Sequence, residues 1–500
     1  MAEAFPGTIP ELLAWRAGAA HDAPGAWLFF EGDSWTLPDV AGQVDRFAVG
    51  LAGRGVVHGD RVALLLGNRP EALFAWLGAN ALGAIAAPFN HALKAPELAA
   101  LLLLTRPRVL VVGEQRELAE AACARLDETL RPALLAPDAL TSAGQGAPRA
   151  RVLPDDVAVL IATSGTTGAP KAVMQTHRTY TLTAEAFPAW LGLTREDRLL
   201  ATLPFFHINA QAYSTMGALG AGAGLALLPR FSASRFWQDA RRLGATQVNA
   251  VGAMLHILLK REPAAGDREH ALRVCYAALA LPEEQHRAFE RRFGVALTVG
   301  YGMSETTFGT VWPLGETPRY GSMGRLRQHP RLGEVNRARV VRDDGSDAAD
   351  GEAGELWLAN PATMKGYWDD PAQTAAALAG GWLHTGDLVR RDAEGFYTFV
   401  ARKKEMLRRR GENVAAAEIE NVLLSHPSVG EAAAVGAPSE LGEDEIVAYV
   451  APREGATIDV AALRAWAGER LADFKVPSRI LVRASLPRTA TERVAKHKLR

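Results

Sequence analysis

Val157-Ala-Val-Leu-Ile-Ala-Thr163-Ser-Gly-Thr-Thr-Gly-Ala-Pro-Lys171 decides how this chain is read. The uncharged apolar run Val157–Ala162, bounded by turn residues, has the pattern of a buried strand. After it, Thr163, Ser164, Gly165, Thr166, Thr167, Gly168 and Lys171 put four hydroxyls, two glycines and a lysine into nine residues. Glycine lets backbone N–H groups approach oxygens closely, the hydroxyls add donors, and lysine sets a point charge on the same anion. The stretch suits a polyphosphate. It is not a Walker loop, because the GxxxxGK[ST] spacing is absent and Lys171 stands three residues beyond Gly168. A plain surface turn needs neither the closing Pro170-Lys171 nor so many hydroxyls.

On either side of this stretch, apolar β-type runs alternate with helix-length amphipathic runs. The strands expected are Arg61–Leu66, Ala84–Pro88, Val109–Val112, Leu199–Leu203, Gly224–Leu228, Gln247–Val251, Arg273–Ala277 and Ala296–Val299. This rhythm predicts parallel sheets covered by helices, with ligands at the carboxyl ends of the strands. Ala72 to Phe89 approaches the length of a membrane span, but Asn80, Gly83 and Pro88 punctuate it. A buried helix, Glu71 to Ala81, and a short strand, Ala84 to Pro88, are expected there. After Gly315 the strands shorten, and the acidic run Asp343 to Glu352 fails the calcium-loop spacing and reads as a hairpin tip. From Lys403 to Arg500 a compact α+β pattern follows: helix Ala417–Leu424, strands Val429–Val435 and Glu445–Val450, helix Val460–Leu471, strand Arg479–Val482.

Five hundred residues, 48% of them hydrophobic, exceed what one core supports, so two or more domains are expected. Fifty-five basic against 56 acidic residues leave a formal charge of −1, which gives no general field for nucleic acid or an anionic membrane. The basic runs Arg402–Arg410 and Arg493–Arg500 lack interleaved aromatics, and phosphates of a small ligand account for them. Cys123 and Cys275 are the only cysteines, too few for a disulfide framework or a cysteine zinc site. With an N-terminus lacking a signal-peptide pattern, this predicts a cytoplasmic protein.

Two further clusters bear on the same chemistry. Tyr301-Gly302-Met-Ser304-Glu305-Thr-Thr307 follows a predicted strand and offers a ring for a base, a hydroxyl for a phosphate oxygen and a hard carboxylate for Mg²⁺. Gly381-Trp-Leu-His-Thr-Gly-Asp387 places an acid after an expected tight turn, as needed for vicinal ribose hydroxyls.

These loops, with Met364-Lys-Gly-Tyr-Trp368, Arg402-Lys-Lys-Glu-Met-Leu-Arg408 and Gly411-Glu412-Asn413, resemble the ordered motif series of the ANL adenylating superfamily over essentially the whole chain. Pro204-Phe-Phe-His-Ile-Asn-Ala-Gln211 and Phe474-Lys-Val-Pro477 are most similar to acyl-CoA ligases of the crotonobetaine/carnitine type. The resemblance implies an α/β fold: a large N-terminal domain of parallel βα sheets with a small β-rich subdomain (1–401), a hinge (402–404) and a mobile α+β C-terminal domain (405–500). It implies ATP and Mg²⁺, a small carboxylic acid, and CoA as co-substrate, or another thiol or amine as acceptor, and leaves room for a homodimer.

By the same resemblance, Thr163 to Lys171 hold the β- and γ-phosphates, Tyr301 and Gly302 receive the adenine, Ser304 contacts the α-phosphate and Glu305 ligates Mg²⁺. Asp387 binds the ribose with Arg402, Lys404 is the hinge, and Gly411, Glu412 and Asn413 line the CoA channel. The acyl pocket falls on His207, Asn209, Gln211, Tyr213 and Ala278. Its stretches Phe206–Tyr213, Ala250–Met254 and Ala277–Leu281 contain no carboxylate for a trimethylammonium group. A small polar or aryl acid is expected.

One motif departs from the family. Where relatives read Pro-Arg-Thr-x-Thr-Gly-Lys, this chain reads Pro487-Arg-Thr-Ala-Thr-Glu-Arg493, and position 408, often lysine, is arginine. Arginine keeps the charge but replaces a compact ammonium with a wide fork. The first reading is that Arg493 does the lysine's electrostatic work; alternatives are that Lys496 or Lys498 moves in, or that another oxyanion, such as nitrite, is activated. A nucleotide-binding relative without turnover is the further alternative.

Overall fold

The computed structural model describes residues 5–20, 25–141, 150–164, 170–278, 281–403, 406–409, 412–438, 444–489 and 493–499. Its two large sheets take the order their apolar runs demand. One is seven-stranded: Gly366–Tyr367, Pro170–Thr176, Val157–Ser164, Ile85–Pro88, Arg61–Leu65, Val109–Val112, Ala133–Leu135. Its last five strands are parallel, and the central runs Ile85–Pro88, Arg61–Leu65 and Val109–Val112 are buried on both faces, hence nearly continuous apolar sequence. The other is nine-stranded: Arg325–Leu326, Thr306–Val311, Ala296–Met303, Val274–Ala278, Gln247–Val251, Arg198–Ala201, Gly224–Leu227, Ala26–Phe30, Asp33–Thr36.

One apolar core joins both sheets to helices Leu37–Gly53, Pro70–Ala81 and His177–Leu191, with Phe47, Phe74, Val159, Tyr180, Leu200 and Leu225 among its members. The uncharged run at 72–89 divides as expected, into helix Pro70–Ala81 and strand Ile85–Pro88. Gly83 makes the turn between them at φ +68°, where an added Cβ would overlap the His58 ring. Among the described residues no helix is long and apolar enough to cross a membrane.

Three elements differ from the sequence reading. Strand Ala296–Met303 runs four residues past Val299 and turns back on Thr306–Val311, so Ser304-Glu305 is a hairpin tip and not an open loop. Asp387 lies inside strand Leu383–Arg391, not after a turn; Gly386, at φ +68°, supplied the turn-like signal within the strand. Asn209–Thr215 is a π-helix, a local widening found mostly at functional sites.

A four-stranded antiparallel sheet follows, Arg337–Val341, Ala353–Ala359, Leu383–Arg391 and Tyr397–Arg402, with the acidic run Asp343–Glu352 at a hairpin tip. The last unit has its own core, including Leu407, Val414, Ile419, Val450, Leu463 and Ile480. It is built on helices Ala416–Leu424 and Val460–Gly468 and on strands Val429–Pro438, Asp444–Pro452 and Arg479–Val482. The second helix stops three residues short of the expected Leu471.

Candidate active site

The hairpin tip Ser304-Glu305 is gripped from the other sheet. The Gln175 side-chain amide donates to the Ser304 carbonyl, and the Met364 backbone N–H donates to the Glu305 carbonyl at 2.7 Å. Gln175 lies on strand Pro170–Thr176, whose second residue is Lys171 and whose outer neighbour is the two-residue strand Gly366–Tyr367. Tyr367 then links the two charges: Lys171 Nζ sits 4.7 Å from its ring centroid, and its hydroxyl donates to Glu305 Oε1 at 3.0 Å. Burial raises the Glu305 carboxyl above the ordinary glutamate value, partly offset by that hydrogen bond and by the charges of Arg402 and Arg493.

On the same hairpin, the Tyr301 hydroxyl donates to Asp387 Oδ2 at 2.7 Å. Asp387 pairs in register with Arg402, whose Nε lies 2.8 Å from Oδ1. Burial first, and then the Asp387 carboxylate, pushes the Tyr301 hydroxyl well above its ordinary range, so it stays a donor. Lys171, Glu305 and Asp387 thus border one neighbourhood, linked through Tyr367 and Tyr301.

Arg493, an exposed residue of the last unit, bears on this neighbourhood through its charge. The Thr489 backbone N–H donates to the Arg493 carbonyl at 2.7 Å. Its charge reaches both Glu305 and His207. Burial, with Arg493 adding, pulls the His207 imidazole down to about 4, so it is neutral at pH 7. Lys496, by contrast, is ion-paired to Glu420 at 2.8 Å within its own unit.

The remaining expected residues divide. Asn209 Oδ1 accepts from Asn249 at 2.9 Å, the Gln211 amide donates to the Phe205 carbonyl and accepts from the Tyr180 hydroxyl, and the Tyr213 hydroxyl donates to the Thr307 carbonyl at 2.8 Å. Ala278 ends its strand opposite Gly300, beside Tyr301. Thr163 pairs with Lys171, and Gly302 lies at the bulge after Tyr301. Gly165, Thr166, Thr167, Gly168, Lys404 and Gly411 lie outside the described residues, as do the side chains of Ser164, Glu412 and Asn413.

Sequence reasoning missed Gln175, the link made by Tyr367, and Arg327. Arg327 is fully buried beneath strand Ala296–Met303, yet it reads as one more arginine in Arg319-Tyr-Gly-Ser-Met-Gly-Arg-Leu-Arg-Gln328. Nothing local marks it.

The AMP-binding enzyme family matches residues 15–368, and the AMP-binding enzyme C-terminal domain matches 418–493. A sulfoacetate–CoA ligase from Cupriavidus necator is 36% identical, the match covering 98% of this chain and 97% of that one. A crotonobetaine/carnitine–CoA ligase from Salmonella arizonae is 34% identical over 92% of this chain and 91% of its own. Among solved structures, the O-succinylbenzoate coenzyme A synthetase of Bacillus subtilis with ATP and magnesium superposes with a TM-score of 0.86 at 28% identity, covering 98% of both chains. Motif order, sheet topology and these matches agree over nearly the full length: the chain belongs to the AMP-binding enzymes, the adenylate-forming ANL superfamily.

Proposed function

We propose that this enzyme is an ATP-dependent acid–CoA ligase acting on a small carboxylic acid, and that Arg493 replaces the family's usual lysine in the first half-reaction. The observation that carries the reading is the meeting of Lys171, Glu305, the Tyr301–Asp387–Arg402 group and the charge of Arg493 around one neighbourhood. The acid's carboxylate oxygen attacks the α-phosphorus of ATP, the bond to the bridging oxygen breaks, and pyrophosphate leaves, giving an acyl adenylate. Lys171 and the hydroxyl-rich loop hold the β- and γ-phosphates, Ser304 the α-phosphate, Tyr301 the adenine and Asp387 with Arg402 the ribose. Arg493 stabilises developing charge; no proton need pass through it.

Glu305 fits a cation. Its carboxyl is disfavoured in charged form by burial, and a bound Mg²⁺ would offset that cost. When bound with the triphosphate, the metal supplies charge neutralisation of the leaving pyrophosphate.

The CoA thiol then attacks the acyl carbon, the bond to AMP breaks and the thioester forms. One face cannot host both pyrophosphate departure and thiol entry. Rotation of residues 405–500 about 402–404, centred on Lys404, would withdraw Arg493 and bring Gly411 to Asn413 to a CoA channel. Consumption of ATP and CoA fits the cytoplasm. The acids named for the relatives differ at their far ends: sulfoacetate carries a second anion, crotonobetaine and carnitine a quaternary ammonium. The acyl region of this chain has no carboxylate for a cation.

A pyrophosphate-release assay over a panel of small acids, with and without CoA, tests the reading. Acid-dependent release, with turnover increased by CoA, is expected. Release without any acid, or release with nitrite alone, would overturn it.

A further inference from the structure

A positive charge is buried without a counter-charge on the face of strand Ala296–Met303 opposite Tyr301. Arg327 is 0% exposed. Its Nε donates to the Thr310 carbonyl at 2.7 Å, and its Nη1 donates to the Tyr213 hydroxyl at 2.7 Å and the Thr307 carbonyl at 2.8 Å. Nη2 is buried and has no hydrogen-bond partner. The guanidinium carbon lies 5.0, 5.1 and 5.2 Å from the ring centroids of Trp190, Tyr213 and Tyr276. Among the described residues no carboxylate pairs with it. Neutral carbonyls and rings relieve only part of the desolvation of such an ion, and a donor left unmade is a further cost.

The unsatisfied edge faces the strand that borders the nucleotide residues. A Cβ added at Gly300 would sit 2.5 Å from Arg327 Nη2 and would overlap the Tyr276 hydroxyl. One added at Gly302 would sit 2.6 Å from the Tyr213 hydroxyl. Glycines on both sides of Tyr301 therefore leave Arg327, Tyr213 and Tyr276 against bare backbone, while Tyr301 itself turns the other way to Asp387. Ser304, the residue read as meeting the α-phosphate, is two to four positions along from these glycines. That is about 7 to 13 Å of strand at the usual rise.

We propose that Arg327 is a specificity-determining residue that receives a second anionic group on the acid, at the end away from the carboxylate being activated. The inference rests on the acid–CoA ligase reading and narrows it: the substrate is a short acid with an oxyanion, carboxylate or sulfonate, at its far end. Nη2 supplies the free donor, the Tyr213 and Tyr276 hydroxyls stand beside it, and the anion provides the missing counter-charge. A quaternary ammonium at this end meets a buried cation and is rejected.

The test compares kcat/KM for pyrophosphate release with matched acids: a carboxylate-terminated and a sulfonate-terminated acid, each against its neutral amide or methyl-sulfone isostere. The wild-type enzyme is expected to prefer an anion-terminated acid by roughly a hundredfold or more, since a buried polar site left unpaired discriminates strongly. Which anion is better tells the two sources apart. Arg327→Met should collapse that ratio to about one or invert it, and Arg327→Lys should restore part of it, with ATP binding by calorimetry reporting that the fold is intact. A wild-type preference for the neutral isosteres overturns the proposal, as does an Arg327→Met variant that binds ATP but loses both acid classes equally. If Arg327→Met does not fold, the wild-type ratio alone decides. Activation of neutral acids only would sink this inference while sparing the ligase reading; no acid-dependent release at all would sink both.

Discussion

His207 is neutral at pH 7 because burial opposes its charge and Arg493 adds a like charge nearby. Its folded value, about 4, lies below the ordinary value of 6.5, so the unfolded chain binds the proton more readily. Stability from this group is present above the ordinary value and is lost as pH falls toward the folded one. The His207→Phe variant should therefore gain stability relative to wild type on acidification from pH 7 to 4, read as the difference in Tm; a difference that does not change with pH refutes the assignment. At the tip of the nearby hairpin, Glu305→Gln keeps the shape and removes the charge. It should weaken ATP–Mg²⁺ binding by calorimetry roughly 10- to 100-fold, with little change in binding of metal-free nucleotide. Residue identity was the most legible level of this site: Lys171, Ser304, Glu305 and Asp387 are chemically unusual in their local runs. Arg327 was not, because burial of one arginine among several is decided by distant partners, Tyr213, Thr307 and Thr310. Asn209 and Gln211 look like ligand groups by type, yet Asn209 Oδ1 accepts from Asn249 and the Gln211 amide bonds Phe205 and Tyr180.

At the scale of elements, the parallel strands were readable because burial on both faces writes an unbroken apolar run, as at Ile85–Pro88 and Val109–Val112. The acidic hairpin tip at Asp343–Glu352 was readable too, but the hairpin that carries Ser304-Glu305 was not. Strand Ala296–Met303 passes through Gly300-Tyr-Gly302, whose glycines resemble a turn but serve close approach to Tyr276 and Tyr213. Gly386 has the same effect near Asp387. Glycine also sets the fit of the helix pair under the site. An added Cβ at Gly220, in helix Met216–Ala221, would run into the Ala184 backbone carbonyl of helix His177–Leu191. Gly220→Ala should destabilise the fold by roughly 1–3 kcal/mol, through overpacking between rigid backbones. Denaturant melts would show a lower midpoint, and an unchanged midpoint would mean the helices separate freely.

At the scale of the whole molecule, the last unit has its own core, and the charge of its Arg493 bears on His207 and Glu305. Arg493→Ala should slow acyl-adenylate formation by roughly 10²- to 10³-fold, the usual cost of losing one group that stabilises transition-state charge. Thioester formation from added acyl adenylate should change little; equal loss in both half-reactions would contradict the assignment. Lys496, already paired with Glu420, is not expected to rescue the variant. Heavy-oxygen transfer reports whether a bound acid captures the α-phosphorus of ATP. With acid labelled by ¹⁸O in the activated carboxylate, ATP, magnesium and CoA, mass spectrometry of the products should find one heavy oxygen in AMP and none in pyrophosphate. Unlabelled AMP, or label in inorganic phosphate with ADP formed, would contradict the account.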